Sequence, residues 1–321
     1  MTLSKGHIDL AQMVVECGTN VSTQDKDGRT PLHLVLSNGH MDVVQMLMER
    51  GADISTQDEV RRSPLHLALS MGYVDVVQML MECGTNVATQ TTDGWTTLHS
   101  ASSQGHVDVV QMLIEHGANI SIQTKEGWTA LHSVSSQGHV DVARMFIEHS
   151  TDISPQVKDG QTPLHLALSN GHMDMTLILM EHGADVSAKD EDRRTPLHLA
   201  STKGHVGVVQ MLMEHGTDMS AKTKDGWTPL HLASSRGHMG VAQILVGSRA
   251  DVSAQDKDGR TPLHPASSKG HIEGTDARGA QCQCVSPYQG REDSVILGIQ
   301  QGSRGCGVDA CGSRRQHLSR G

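Results

Sequence analysis

Twenty-one histidines in a chain of 321 residues raise the prospect of metal binding or proton transfer. Imidazole is the commonest metal ligand and the side chain that titrates nearest neutrality, so converging histidines could hold zinc or act as acid and base. Their spacing argues for another role. Eight close the tetrapeptide TPLH or a near variant, at His33, His66, His99, His132, His165, His198, His231 and His264, and every interval is 33 residues. Eight more follow glycine on the same period, among them His40, His106, His139, His172, His205, His238 and His271, with Tyr73 in the one missing slot. His116, His149, His182 and His215 form a third column, and only His317 stands outside all three. Metal ligands must meet at one point, whereas a period of 33 spreads these residues along the chain. Asp42, Asp75, Asp108, Asp141 and Asp174 are periodic in the same way and need no acid–base role. No phosphate loop, nucleophile elbow or HExxH occurs. The expectation is a protein that is not an enzyme, with no cofactor and no metal site.

The elements that position these columns follow from one unit, DGRTPLHLVLSNGHMDVVQMLMERGADISTQ. Thr30 is a good N-cap and Pro31 suits the first helical position. Leu32 to Ser37 predict a short helix that stops at Gly39. Asp42 sits in the first turn of a second helix, where a carboxylate favours the dipole. Val44, Leu47 and Met48 make an apolar stripe at i, i+3, i+4, and Gly51 supplies a left-handed stop. The polar remainder reads as a turn-forming finger. Such a helix pair cannot bury its apolar face alone, but stacked copies can. Seven complete units fill residues 27–257, a half unit covers 1–26, and a truncated one covers 258–273.

With its TPLH, GH, DVV and GAD signatures, the unit resembles an ankyrin repeat, and the resemblance covers residues 1–273. It implies an all-α repeat solenoid of stacked helix-turn-helix units with projecting β-hairpin fingers. It also implies a protein partner on the concave face of fingers and first helices, and hydrogen bonds from the TPLH histidines between neighbouring units. Many ankyrin repeats carry an asparagine after the GADV valine, and some are hydroxylated there. This chain has Ser22, Ser55, Ala88, Ser121, Ser154, Ser187, Ser220 and Ser253 in that column, so that modification is not expected.

Composition narrows the partner. Aromatic residues are 2% of the chain, so Leu, Val, Met and Ala must fill the core. Many of the 17 methionines fall in second-helix columns, as Met46, Met79, Met112 and Met211 do. The net charge is −10, which disfavours nucleic acid and suits a neutral or basic polypeptide. No apolar run reaches the length of a membrane span, and MTLSKGHIDL has no signal-peptide core. Cys17 and Cys83 stand at equivalent positions two repeats apart, too distant to pair. The expected setting is intracellular, cytoplasmic or nuclear.

Where units differ, partner choice can reside. The column just before TPLH reads Arg29, Arg62, Trp95, Trp128, Gln161, Arg194, Trp227, Arg260 and holds all three tryptophans. Units three and four also replace the LHLA leucine with Ser100 and Ser133 and continue with Ser103, Gln104 and Ser136, Gln137. Residues 93–137 therefore form the candidate contact centre, with exposed Trp95 and Trp128 as anchors and Trp227 as a lesser one. Charged fingers on either side, including Arg62 and Arg194, are candidates for its polar rim.

Frame breaks are expected to loosen the array near Ser150, near Arg249, which replaces a helix-ending glycine, and at Pro265 inside a first helix. Residues 274–321 have no period and read by composition as a disordered tail. Permitted codons for this tail, taken in a shifted frame, spell further repeat text over nearly its whole length, so it reads as a frameshifted continuation of the array. A zinc site at Cys282, Cys284, Cys306 and Cys311 has weak spacing. Three functional readings stay open: a scaffold, the targeting array of a larger signalling or receptor protein, and a decaying gene copy.

Overall fold

The computed structural model describes residue 13, residues 17–149 and 151–268, and a short antiparallel pairing of 274–275 with 281–282. Residues 1–12 and 14–16 of the first half unit, Ser150, the tail cysteine side chains and the expected tail disorder lie outside the described residues. Fifteen helices run in pairs through residues 31–268 and make an all-helical repeat solenoid. The first helices of the units are α1 (Pro31–Asn38), α3 (Pro64–Met71), α5 (Thr97–Gln104), α7 (Ala130–Gln137), α9 (Pro163–Asn170), α11 (Pro196–Lys203), α13 (Pro229–Arg236) and α15 (Leu263–Ser268). The second helices are α2 (Met41–Glu49), α4 (Val74–Glu82), α6 (Val107–Glu115), α8 (Val140–Glu148), α10 (Met173–Glu181), α12 (Val206–Glu214) and α14 (Met239–Gly247).

The TPLH motif is a helix start. Thr30 has extended backbone and caps α1, and Pro31 occupies the first turn. The N3 side chain that completes the capping box is histidine where glutamate is usual: the Thr30 N–H donates to His33 Nδ1 at 3.2 Å. Gly39 ends the helix at φ 77°, a left-handed conformation that a Cβ would strain. Asp42 lies in the first turn of α2, and Gly51 at φ 73° follows its end.

Buried columns run the length of the stack. Leu32, Leu65, Leu98, Leu131, Leu164 and Leu197 are buried in the first helices. In the second helices Val44, Leu47 and their equivalents are buried, save Ala242, which is partly buried; Phe146 takes one leucine slot, and Met48 is only partly buried. Met46, Met112 and Met211 pack against this core from its edge. First helices approach their neighbours more closely than second helices do. Alanine at positions 68, 101, 167, 200 and 233 makes that approach possible, because each is completely buried at the first-helix contact.

Fingers join tip to tip. Backbone N–H groups of Glu59, Thr92, Lys125, Lys158, Glu191, Lys224 and Lys257 each donate to a carbonyl of the preceding finger. The expected β-hairpin character is slight: among the described fingers a single isolated bridge, Gln90 with Thr96, is of β type, and the others are tight turns. Arg249 adopts the left-handed φ of 72° expected where it replaces glycine. Pro265 lies in a first helix of six residues, none of them buried, where the other first helices have eight.

Candidate protein-interaction surface

The histidine columns are inter-repeat ties. His33 Nδ1 accepts the Thr30 N–H, so its proton sits on Nε2, which donates to the Arg62 carbonyl at 3.0 Å. The same bond runs from His66 to Trp95, His99 to Trp128, His165 to Arg194, His198 to Trp227 and His231 to Arg260. The second column ties backwards: His139, His172 and His238 reach the carbonyls of Ser103, Ser136 and Thr202 in the preceding unit. His116, His182 and His215 turn Nδ1 to the carbonyl four residues earlier, at the ends of their helices. Burial pushes the imidazoles of His33, His99, His165 and His231 down from the usual 6.5, and those of His66, His132 and His198 down to about 4. Among the described residues no three potential metal ligands converge.

The finger columns fall into two kinds that sequence reading did not separate. In one, an aspartate closes the turn. The Arg62 N–H donates to Asp58 Oδ1 at 2.8 Å, and the Arg62 Nε donates to Oδ2 at 2.8 Å. Asp190 with Arg194 and Asp256 with Arg260 repeat this arrangement, and the three carboxylate side chains are 1–3% exposed. A buried carboxylate needs a cation, which explains the arginine four residues later. In the other kind a threonine replaces the aspartate. Thr91, Thr124 and Thr223 Oγ1 accept the N–H of Trp95, Trp128 and Trp227 at 3.0–3.1 Å. The hydroxyl keeps the turn without a charge, the arginine is no longer required, and the position becomes free for an indole. The signal was present in the sequence as a column four residues before the tryptophans: Asp stands with Arg, and Thr with Trp, in every such finger. Val157 with Gln161 is the one mixed case. The histidine beneath it, His132, is buried, and among the described residues its Nε2 makes no well-formed hydrogen bond, although the Gln161 and Pro155 backbones lie close enough to act on it.

The tryptophans are half-buried, which corrects the expectation that they are exposed. Each indole rests on the TPLH histidine of its own unit, with ring centroids 5.2 Å apart for Trp95 and His99, 5.8 Å for Trp128 and His132, and 6.1 Å for Trp227 and His231. Trp95 and Trp128 also meet each other at 6.5 Å with planes tilted by 31°, so they form one aromatic patch across two fingers. Trp227 has no aromatic neighbour of this kind.

The polar candidates divide. Ser100, Ser103 and Ser136 are partly buried, and Gln104 and Gln137 are exposed. Ser103 and Ser136 hydroxyls donate to the carbonyls of Ser100 and Ser133 at 2.9 Å. Gln104 Nε2 reaches back to the Ser70 carbonyl at 3.3 Å. Ser133 is 2% exposed and its Oγ has no hydrogen-bond partner, so it belongs to the packed interior and not to a contact surface. Arg62 and Arg194 remain partly accessible, but their guanidinium groups are committed to Asp58 and Asp190.

The serine column after the GAD motif also has a structural role. The Ser55, Ser187, Ser220 and Ser253 hydroxyls donate to Asp53, Asp185, Asp218 and Asp251 at 2.6–2.7 Å, and these bonds are the leading cause that holds all four carboxyls below their ordinary range. Among the described residues no helix is long and apolar enough to cross a membrane.

A family model for ankyrin repeats in three copies matches residues 1–91, 83–159, 149–223 and 216–277. A search of curated proteins finds no match.

Proposed function

The chain belongs to the ankyrin-repeat family, whose members are generally protein–protein interaction modules, and from that premise we propose that it is a scaffold holding a polypeptide on its first-helix and finger side. The Trp95–Trp128 patch carries this reading. It is the one place among the described fingers where two indoles lie in contact, each of them partly exposed. Tryptophan supplies large contact area at low entropic cost and is enriched among residues that dominate interfaces. The first helices of the same two units carry Ser100, Ser103, Gln104, Ser136 and Gln137, all at least partly exposed, and the fingers of Arg62 and Arg194 add charge on either side along the chain. The closer approach of first helices favours a stack curved towards this side. A net charge of −10 suits a partner that is neutral or basic overall.

Affinity capture with the whole chain and three variants tests the proposal. Proteins retained by the parent and by Trp227→Ala, but lost from Trp95→Ala and Trp128→Ala, identify the partner. Each of the latter two variants is expected to cost about 2 kcal/mol of binding, roughly a thirtyfold loss. Melting curves accompany the titration because the indoles rest on His99 and His132. A lowered melting temperature with unchanged affinity would reduce the tryptophans to finger packing.

A further inference from the structure

We propose that the array also carries a contact element used twice, Arg61 with Trp95 and Arg193 with Trp227, which together grip an extended acidic segment of a partner at two points. The proposal rests on the scaffold reading and adds the chemistry of the segment and its two-point attachment.

The observation begins at the finger tips. The column reads Gly28, Arg61, Gly94, Gly127, Gly160, Arg193, Gly226, Gly259, and every member has positive φ. Arg61 and Arg193 take φ 62° and 60°, a left-handed conformation that a residue with a Cβ disfavours. Space is short as well. A Cβ on Gly94 would stand 3.1 Å from Thr124 Cα, one on Gly127 3.0 Å from Val157 Cα, and one on Gly226 2.9 Å from the Lys257 nitrogen. An arginine at this position is thus rooted against the following finger, on backbone that disfavours it. Backbone strain of this kind is a reason to look for use.

Stability does not explain these two residues. Both are exposed, and neither forms a side-chain ion pair or hydrogen bond among the described residues, whereas the adjacent Arg62 and Arg194 are satisfied by buried aspartates. Each unpaired arginine is followed by a threonine–tryptophan finger, joined to it by a tip bond: Thr92 N–H to the Val60 carbonyl at 2.9 Å, and Lys224 N–H to the Asp192 carbonyl at 2.8 Å. The pairing occurs twice, and the two occurrences are 132 residues apart.

A guanidinium matches a carboxylate in a two-pronged geometry, and the open face of an indole accepts an apolar side chain. An acidic residue beside an apolar one fills one such element. Four repeats at 8–10 Å per helix step separate the two elements by about 40 Å. An extended chain covers that distance in about 12 residues. Acidic anchors at two points are compatible with a partner that is neutral or basic overall.

Labelled glycine–serine peptides, titrated against the whole chain, test this. One peptide carries a single Glu-Phe anchor, a second carries two Glu-Phe anchors 12 residues apart, and a third carries two Lys-Phe anchors. The two-anchor acidic peptide is expected to bind about tenfold or more tighter than the single one, and the lysine peptide to bind no better than bare linker. Arg61→Gly and Arg193→Gly restore the residue usual in the column, so folding is preserved, and each is expected to reduce the double peptide to single-anchor affinity. Equal affinity of the single and double peptides, or no effect of either glycine variant, overturns the proposal. Trp128 belongs to neither element, so Trp128→Ala separates the two readings. If it abolishes partner capture while Arg61→Gly changes nothing, the scaffold centre stands and this element falls. The reverse pattern removes the centre and retains the element.

Discussion

The fingers at residues 57–62 and 90–95 are neighbours with the same backbone and opposite internal chemistry. The first is held by a buried carboxylate under an arginine, the second by a neutral hydroxyl beneath an indole. One four-residue relation, Asp to Arg or Thr to Trp, decides whether a finger spends its outward side chain on itself or presents it. A repeat protein can thus change its surface without touching the stacked leucines below, because the turn accepts either side-chain oxygen at the first position and closes even over Val157, where Asp159 accepts the Gln161 N–H instead. The arginines before TPLH, Arg62 and Arg194, are spent within their own fingers, and the tryptophans in the same column leave aromatic surface partly exposed.

The largest expected effect tests what the two regions share. Neutral TPLH histidines lie under both kinds of finger: His66 and His198 bond to tryptophan carbonyls, and His33 and His165 to arginine carbonyls. Burial lowers His66, His132 and His198 to about 4 from 6.5, so the unfolded chain takes up protons first as pH falls. The histidine contribution to stability is full well above pH 6.5, declines through the interval, and is exhausted below about 4. Each of these three histidines is expected to remove about 2 kcal/mol at pH 5. A proton on His33 Nδ1 would oppose the Thr30 N–H that now points at it and leave the Thr30 hydroxyl oxygen as its acceptor. Chemical denaturation at pH 7.5, 6 and 5 measures the decline. A flat profile would mean that the histidines titrate normally and that the ties are weak.

A smaller effect breaks the comparison directly. Arg62→Ala leaves the Asp58 carboxylate buried without its cation and is expected to cost about 2–3 kcal/mol, tempered by the backbone N–H groups that still cap it. Thr91→Asp beside Trp95 creates the same unpaired charge and is expected to destabilise by a similar amount. Adding Trp95→Arg should then recover most of the loss, because the finger has been converted from one kind to the other. The cycle is read by denaturant titration, with an expected coupling of about 1–3 kcal/mol. Additive single effects would show that the two columns are independent, and the grouping into two kinds of finger would fail.

The fold was open to reading because its frame residues serve the backbone. Thr30, Pro31, His33 and Gly39 specify a helix start and stop wherever they recur, and the period of 33 gives the stacking. The candidate surface was only half open. The tryptophans announce themselves, but their burial depends on His99 and His132 lying beneath them, a contact that requires the inter-repeat geometry. Ser133 looks like surface polarity in the sequence and is interior, since it takes a position where Leu67 and Leu166 are also buried. Arg61 reads as one charge in a charged turn. Only its φ and its lack of an ion pair set it apart.

The smallest effect sharpens the contrast between the units that carry the tryptophan pair and those beside them. In the deeper first-helix column Leu36, Leu69 and Leu168 are buried, whereas Ser102 and Ser135 take the same place in units three and four. Both serines are completely buried, and their hydroxyls have no hydrogen-bond partner. A buried hydroxyl without a partner retains its desolvation cost and returns nothing. Ser102→Ala and Ser135→Ala are therefore expected to stabilise the chain by about 1 kcal/mol each, while Ser37→Ala, at an exposed position whose hydroxyl bonds the His33 carbonyl, should not. Because neither buried serine reaches the surface, partner affinity should stay constant while the melting temperature rises. Stabilisation accompanied by weaker binding would mean that looseness beneath the aromatic patch is used by the partner, and the patch would then have to be described as adaptable instead of preformed.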